Sequence, residues 1–238
     1  MSLWDVDDYV RLRRGGVDAV LDLLAERHDL SGKDVLELGC GPGRAAAALA
    51  TRFDARITAV DASAEMLDAA RSIVPAGVEL VEARAESLPF AAASFDVAYA
   101  NFVVHLLDRP RAFAEAHRVL RPGGLLWLKT ADPERVDDFW AAPLLPSLAG
   151  IEAARFPSQA ALLTDLTAAG FRDAGVERFA LDHLLRRADA VEQLRSRSYS
   201  TLSLLPDDEL AAAVARAPVE LPEPVQYRST MLIASATA

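Results

Sequence analysis

Three glycines at alternate positions end the stretch "VLELGCGPGR" (Val35 to Arg44), and an acid, Glu37, stands two residues before the first of them. Glycines after an apolar, β-rich run let the main chain turn sharply and approach a ligand with no Cβ in the way. Several ligand classes compete for such a turn. A phosphate loop needs G-x-x-x-x-G-K-[ST]; the basic residue here is Arg44, with no Ser or Thr after it, and that class fails. A dinucleotide turn needs G-x-G-x-x-G and an acid about 20 residues onward. Asp61 meets the second condition, but Gly43 arrives one residue early. Glu37 weighs further against a pyrophosphate, which a strand-borne carboxylate would repel. The same carboxylate would stabilise a ligand end that carries positive charge.

The elements around the turn must present it at one end of a sheet. Short β-rich runs alternate with alanine- and leucine-rich amphipathic segments through the first half, the pattern of βαβ units and a parallel sheet. "VDAVLDLLAE" predicts a helix before the first strand, "KDVLELG". "RAAAALATRF" follows the glycine turn as a helix, and "RITAVDAS" is a second strand ending at Asp61. "AEMLDAARSI" is a helix with Ser63 as its N-cap. "VELVEA" and "SFDVAYA" are the third and fourth strands. "PRAFAEAHRVL" is a helix stopped by "RPGG", and "LLWLKTA" is the fifth strand. "SQAALLTDLTAAGF" predicts a further helix, "AGVERFALDH" a sixth strand, residues 189–217 helix, and "VQYRSTMLIASA" a last strand. The chain is expected to be a single domain over 1–238. Its cofactor-binding core spans roughly 30–131, and helical covering insertions occupy 132–157 and 185–222.

Composition narrows the function classes. The 238 residues are 52% hydrophobic, enough for one substantial core, yet no run reaches the roughly 18–20 apolar residues of a membrane span. The first residues, "MSLWDVDDYVRLRR", lack the basic start and apolar centre of a signal peptide. A lone cysteine, Cys40, excludes an internal disulfide framework, so a cytoplasmic enzyme is expected. A formal net charge of −10 disfavours a nucleic-acid partner. His28, His117 and His183 lack metal-ligand spacing, and no metal is expected.

A ligand with both an ammonium and a sulfonium suits Glu37, and that ligand is S-adenosylmethionine. "VLELGCGPG" resembles the first motif of the class I S-adenosylmethionine-dependent methyltransferases, and "VDASAEML" the second. "ARAESLPFAAASFDVAYANFVVHLL" and "RVLRPGGLLWL" resemble the later blocks, in order. The wording "LPF…SFDV…VLRPGG" is similar to the branch containing ubiquinone- and menaquinone-biosynthesis methyltransferases. The resemblance covers roughly residues 30–131. It implies an α/β fold: a doubly wound, Rossmann-like, seven-stranded, mostly parallel sheet with its last strand antiparallel.

The resemblance also assigns roles. Gly39, Cys40, Gly41 and Gly43 would form the turn under the methionine part of the cofactor, with Glu37 orienting it. Asp61 would hold the ribose, Ala62 and Met66 would flank the adenine, and Ala85 and Glu86 would lie along the adenine edge. Asn101 and Phe102 would lie beside the methyl group. Arg84 stands where the family often has an adenine-binding aspartate, and it cannot accept a hydrogen bond. The expected reaction is in-line methyl transfer to a small-molecule acceptor, leaving S-adenosylhomocysteine. His105 has the pKa range of a general base, although a histidine in "FVVHLL" also suits packing on the sheet. Phe139, Trp140 and Tyr199 are candidate acceptor contacts. Trp4 and Tyr9 are candidates to close over the cofactor, or to pack a helix face, and Arg13 or Arg14 is a candidate to meet the cofactor carboxylate. The alternatives are an NAD(P)-dependent oxidoreductase and a catalytically silent cofactor-binding member.

Overall fold

The computed structural model describes residues 18–238, so Trp4, Tyr9, Arg13 and Arg14 lie outside the described residues. The described chain divides into two compact units. One comprises residues 18–130, 159–177 and 232–238; the other comprises 131–158 and 178–231.

The first unit holds α1 (Asp18–Arg27), β1 (Asp34–Leu38), α2 (Arg44–Arg52), β2 (Arg56–Asp61), α3 (Ala64–Arg71) and β3 (Glu79–Glu82). It continues with β4 (Phe95–Asn101), α4 (Arg109–Val119) and β5 (Leu120–Ala131). The sheet has seven strands in the order β3-β2-β1-β4-β5-β7-β6, where β6 is Arg172–Leu185 and β7 is Val225–Thr237. β1 pairs in parallel with β2 and β4, β2 with β3, and β4 with β5. At the chain end Gly123 N–H donates to the Ala238 carbonyl and Ala238 N–H to that of Gly124, both at 2.9 Å, beside the antiparallel closing strand.

Strand period decides which side chains meet. Leu36, Leu38, Ala98, Ala100, Leu126 and Leu128 share one face, buried with Ala112, Phe113 and Ala116 of α4 and with Leu162 and Leu166. The alternate residues put Glu37, Tyr99 and Trp127 in one row on the opposite face, since Glu37 pairs with Tyr99 and Tyr99 with Trp127. The end of α1 reaches this face, where His28 meets Trp127 edge-on at 5.7 Å.

At the amino ends of the strands, Arg121 bridges Asp34 and Asp96, each at 2.9 Å. Arg56 closes the group on Asp34 at 2.6 Å. "RPGG" is more than a helix stop. It lies inside β5 as an irregularity, with Leu120 opposite Phe95 but Leu125 opposite Val97. Pro122 has no N–H to pair, and Gly123 takes φ +82°, so the strand bows out before resuming its register.

The second unit contains α5 (Leu148–Arg155), α7 (Arg187–Arg195) and α8 (Asp207–Glu220); α6 (Gln159–Ala168) belongs to the first. The helix expected over 189–217 is broken into α7, a short 3₁₀ turn at Ser200–Leu204, and α8 beginning after Pro206. Trp140, Leu144, Leu148, Leu194, Leu202 and Leu210 are among the residues of its own core.

The loop from β3 to β4 carries Ala85 and Glu86, and α4 pins it. Arg118 donates to the carbonyls of Phe90 at 2.8 Å and Leu88 at 3.1 Å, and it also pairs with Glu115. Glu115 in turn accepts the Leu88 N–H at 2.8 Å. Arg118→Ala is expected to destabilise the fold by on the order of 1–3 kcal/mol in urea unfolding. Hydrogen exchange at the Leu88 amide should accelerate; unchanged protection there would reject the clamp.

Candidate functional site

The glycine turn sits between the ends of β1 and β2. Gly39, Gly41 and Gly43 take φ of +64°, +53° and +80°, the left-handed region that side chains disfavour. Their surroundings differ. A Cβ on Gly39 would lie 2.3 Å from Val103 Cγ2, and one on Gly43 would lie 2.7 Å from Val74 Cγ1, so both glycines allow close packing. A Cβ on Gly41 would meet nothing within 4 Å, so this is the glycine with open space beside it.

Two carboxylates hold the turn. Asp61 Oδ2 accepts the Gly41 N–H at 2.8 Å, and Oδ1 accepts that of Ser63 at 2.9 Å. Each oxygen keeps a second lone pair for a ligand hydroxyl. Ser63 caps α3 by accepting the Met66 N–H at 3.2 Å, which seats Met66 as a buried side chain beyond Asp61; Ala62 is exposed. Glu37 is 2% exposed and accepts a hydrogen bond from the backbone of Ala46 in the first turn of α2, whose N-cap, Gly43, has no side chain to do so. Its Oε2 has no hydrogen-bond partner among the described residues. Burial, then the nearby charge of Asp61, pushes the Glu37 carboxyl up to about 8.

Cys40 is buried in the same turn, its N–H bonded to the Val60 carbonyl at 2.9 Å. Burial and the charges of Glu37 and Asp61 push its thiol up, the opposite of what a reactive thiolate needs. Ala85 is buried. Glu86 is buried too, its Oε1 accepting the Asp108 N–H at 3.0 Å and its Oε2 3.4 Å from Arg84. Arg84 is therefore the ion partner of Glu86, and the Glu86 carboxylate fastens the start of α4.

Beyond β4, Asn101 has a buried Oδ1 without a partner, and Phe102 sits at φ +52° with its N–H on the Lys129 carbonyl at 2.8 Å. The buried Lys129 ammonium lies 4.9 Å from the centre of the Phe102 ring. His105 is half-buried in the 3₁₀ turn Val104–Leu106. Lys129, Tyr99 and Trp127 were not singled out by motif. Their signal is the period of two on β4 and β5, which becomes readable only once the register with β1 is known.

In the second unit Phe139 gathers three rings: Trp140 at 5.3 Å, Tyr199 at 5.1 Å and Tyr227 at 6.4 Å. Trp140 is buried, and its indole N–H has no acceptor among the described residues. Tyr227 also stacks on His183 at 4.7 Å, and the His183 Nε2 lies 2.7 Å from the Ser229 hydroxyl.

The Glu37 shift has a signed consequence. The folded protein keeps a proton that the unfolded chain releases above about pH 4.5, so this acid's contribution to stability falls as pH rises from about 4.5 to about 8. Glu37→Gln removes that loss. Its stability relative to the parent is expected to rise across this window, by about 5 kcal/mol, and to level off above it. Urea unfolding at several pH values tests this; a difference independent of pH would reject a neutral buried Glu37.

Comparison with known proteins fits this geometry. Residues 36–128 match the methyltransferase-domain family. A protein from Anabaena variabilis, described as a methyltransferase of antibiotic biosynthesis, is similar in structure at TM-score 0.72 and 21% identity, covering 92% of this chain and 97% of its own. The YcgJ protein of Bacillus subtilis is similar at TM-score 0.64 and 21% identity, with the same coverages. The geranyl diphosphate C-methyltransferase of Streptomyces coelicolor, solved with S-adenosyl-L-homocysteine, gives TM-score 0.60 and 16% identity over 92% of this chain and 79% of its own. No curated protein matches the sequence. The matched segment carries the glycine turn and both of its acids on a sheet of this order, so the likeness to a methyltransferase domain falls on the residues that build the site.

Proposed function

We propose that this chain is an S-adenosylmethionine-dependent methyltransferase that acts on a small-molecule acceptor and binds its cofactor along the ends of β1, β2 and β4. The observation that carries the reading is Gly41. It has a left-handed backbone and open space where its Cβ would be, with the buried Glu37 carboxyl on β1 and the half-buried Asp61 carboxylate on β2 beside it. Under this reading Gly39, Cys40, Gly41 and Gly43 underlie the methionine portion, and Asp61 takes the ribose hydroxyls on its remaining lone pairs. Ala62, Met66 and Ala85 border the adenine. Glu86 contributes by holding Asp108 and Arg84 and leaves the adenine edge to the main chain. Asn101 and Phe102 border the reactive end.

The bound cofactor supplies an electrophilic methyl on a sulfonium; the protein's task is alignment and exclusion of water. His105 is the candidate to accept a proton where the acceptor must lose one. Phe139, Trp140 and Tyr199 are the proposed acceptor contacts. Their support is the convergence of the three side chains and the buried, unpartnered indole N–H of Trp140, a donor suited to a polar atom on an otherwise apolar ligand. Residues 132–157 and 185–222 would then be acceptor-covering segments of a single methyltransferase domain. Proteins of similar fold include a phosphoethanolamine N-methyltransferase and a geranyl diphosphate C-methyltransferase, both acting on small molecules. The formal net charge of −10 points the same way, against a nucleic-acid substrate. No helix among the described residues is long and apolar enough to cross a membrane.

Titration calorimetry with S-adenosylhomocysteine and with NAD tests the cofactor reading, with binding expected for the first and none for the second. Asp61→Asn keeps the shape of the turn but replaces one acceptor oxygen with a donor. It is expected to weaken S-adenosylhomocysteine by on the order of 1–3 kcal/mol. An unchanged affinity in the folded variant would reject the ribose role.

A further inference from the structure

The row Glu37, Tyr99 and Trp127 carries more than packing. All three side chains are at most 2% exposed, and each ends in a polar atom without a hydrogen-bond partner among the described residues: Glu37 Oε2, the Tyr99 hydroxyl and Trp127 Nε1. They lie side by side on β1, β4 and β5. An indole N–H can only donate, and a phenol at neutral pH keeps its proton to donate. Burial, and then the charge of Glu37, pushes the Tyr99 hydroxyl up, so it remains protonated. The row therefore sets two donors beside one carboxyl, an arrangement that suits a carboxylate better than a neutral acid.

The protein's own surroundings oppose that ionisation. Glu37 is desolvated, and Asp61 on β2 faces it with like charge. Cys40 in the turn and Tyr99 on β4 are the other titratable groups that feel its charge. From α2 it receives only the Ala46 N–H, and Lys129 stands two residues beyond Trp127 along the same face of β5. A cation delivered to the glycine turn would reverse the balance.

We propose that Glu37 is a charge gate that separates methyl donor from demethylated product: it is protonated when the turn holds no sulfonium and gives up its proton to solvent when one arrives. This inference rests on the cofactor reading of Glu37 given above. S-adenosylmethionine and S-adenosylhomocysteine share an ammonium and a carboxylate and differ by one positive charge at sulfur. Binding the first exchanges the Glu37 O–H proton, released to bulk water, for the sulfonium charge. Binding the second leaves the proton in place. When the methyl has left and sulfur is a neutral thioether, Glu37 takes a proton back from solvent, and the charge that favoured the donor over the product is gone.

Calorimetry of the full chain in two buffers of different ionisation enthalpy counts the protons. At pH 7, binding S-adenosylmethionine is expected to release close to one proton, and binding S-adenosylhomocysteine close to none. From pH 7 to pH 9 the donor should tighten about tenfold relative to the product, as expected when a site acid titrating near 8 must ionise. Glu37→Gln should lose both the proton release and the pH dependence. Tyr99→Phe, which removes one donor from the row, should weaken the donor severalfold and shift the product less than twofold. Equal proton counts for the two ligands in the parent protein overturn the gate while leaving Glu37 in the cofactor site. Unchanged affinities for both ligands in Glu37→Gln overturn its place in the site and the gate with it. An equal loss for both ligands in Tyr99→Phe overturns the donor row.

Discussion

A carboxyl buried beneath a helix start organises this protein. The first turn of α2 follows three glycines and has no side chain at its N-cap, so its free amides need an acceptor from elsewhere. Glu37 supplies one from β1, and the glycine turn is then held between a strand on one side and a helix on the other. Asp61 braces the same turn from β2 through the Gly41 N–H. Val103, just past β4, fills the space beneath Gly39. Parts of three adjacent strands thus converge on a few residues of backbone, and the shape of the turn depends on all of them.

The two ends of the sheet are stabilised by different chemistry. At the amino ends, Arg56, Arg121, Asp34 and Asp96 form a solvent-accessible ion group. It neutralises itself and leaves little for a ligand to do. At the carboxyl ends the polar atoms are buried and several lack partners, among them Glu37 Oε2 and Asn101 Oδ1. Unpaired buried polar atoms destabilise a fold and persist where something outside the fold can pair with them. The contrast between the two ends agrees with the general rule that ligands bind beyond the carboxyl ends of such sheets.

Much of this was legible in the sequence, for local reasons. The spacing of glycines, the N-cap Ser63 and the strand ending in Asp61 are short-range signals, and each reappears in the structure as a turn, a cap and a strand end. What stayed hidden depends on register. Tyr99 and Trp127 look like ordinary strand aromatics until parallel pairing aligns them with Glu37. Arg84 looked like a loss of adenine recognition because its partner could not be known; the structure pairs it with Glu86, whose other oxygen anchors Asp108. "RPGG" carries every mark of a turn, and only the pairing with β4 and with the chain end reveals it as a bowed strand. The break after α7 was hidden because residues 196–206 keep apolar spacing while lacking continuous helical geometry.

The outer strands of the sheet have a consequence for the chain's life outside its fold. β6 lies at one edge with charged residues along it, Arg172, Asp173, Glu177, Arg178 and Asp182, and β3 at the other edge is four residues long with a glutamate at each end. A stray strand adding to either edge would have to bring its own backbone against like and unlike charges in alternation, over a short or twisted register. A nascent or partly opened molecule is thereby discouraged from zipping onto a neighbour. The pairing groups that the two edges leave open are in this way set among charges and not along an apolar ribbon.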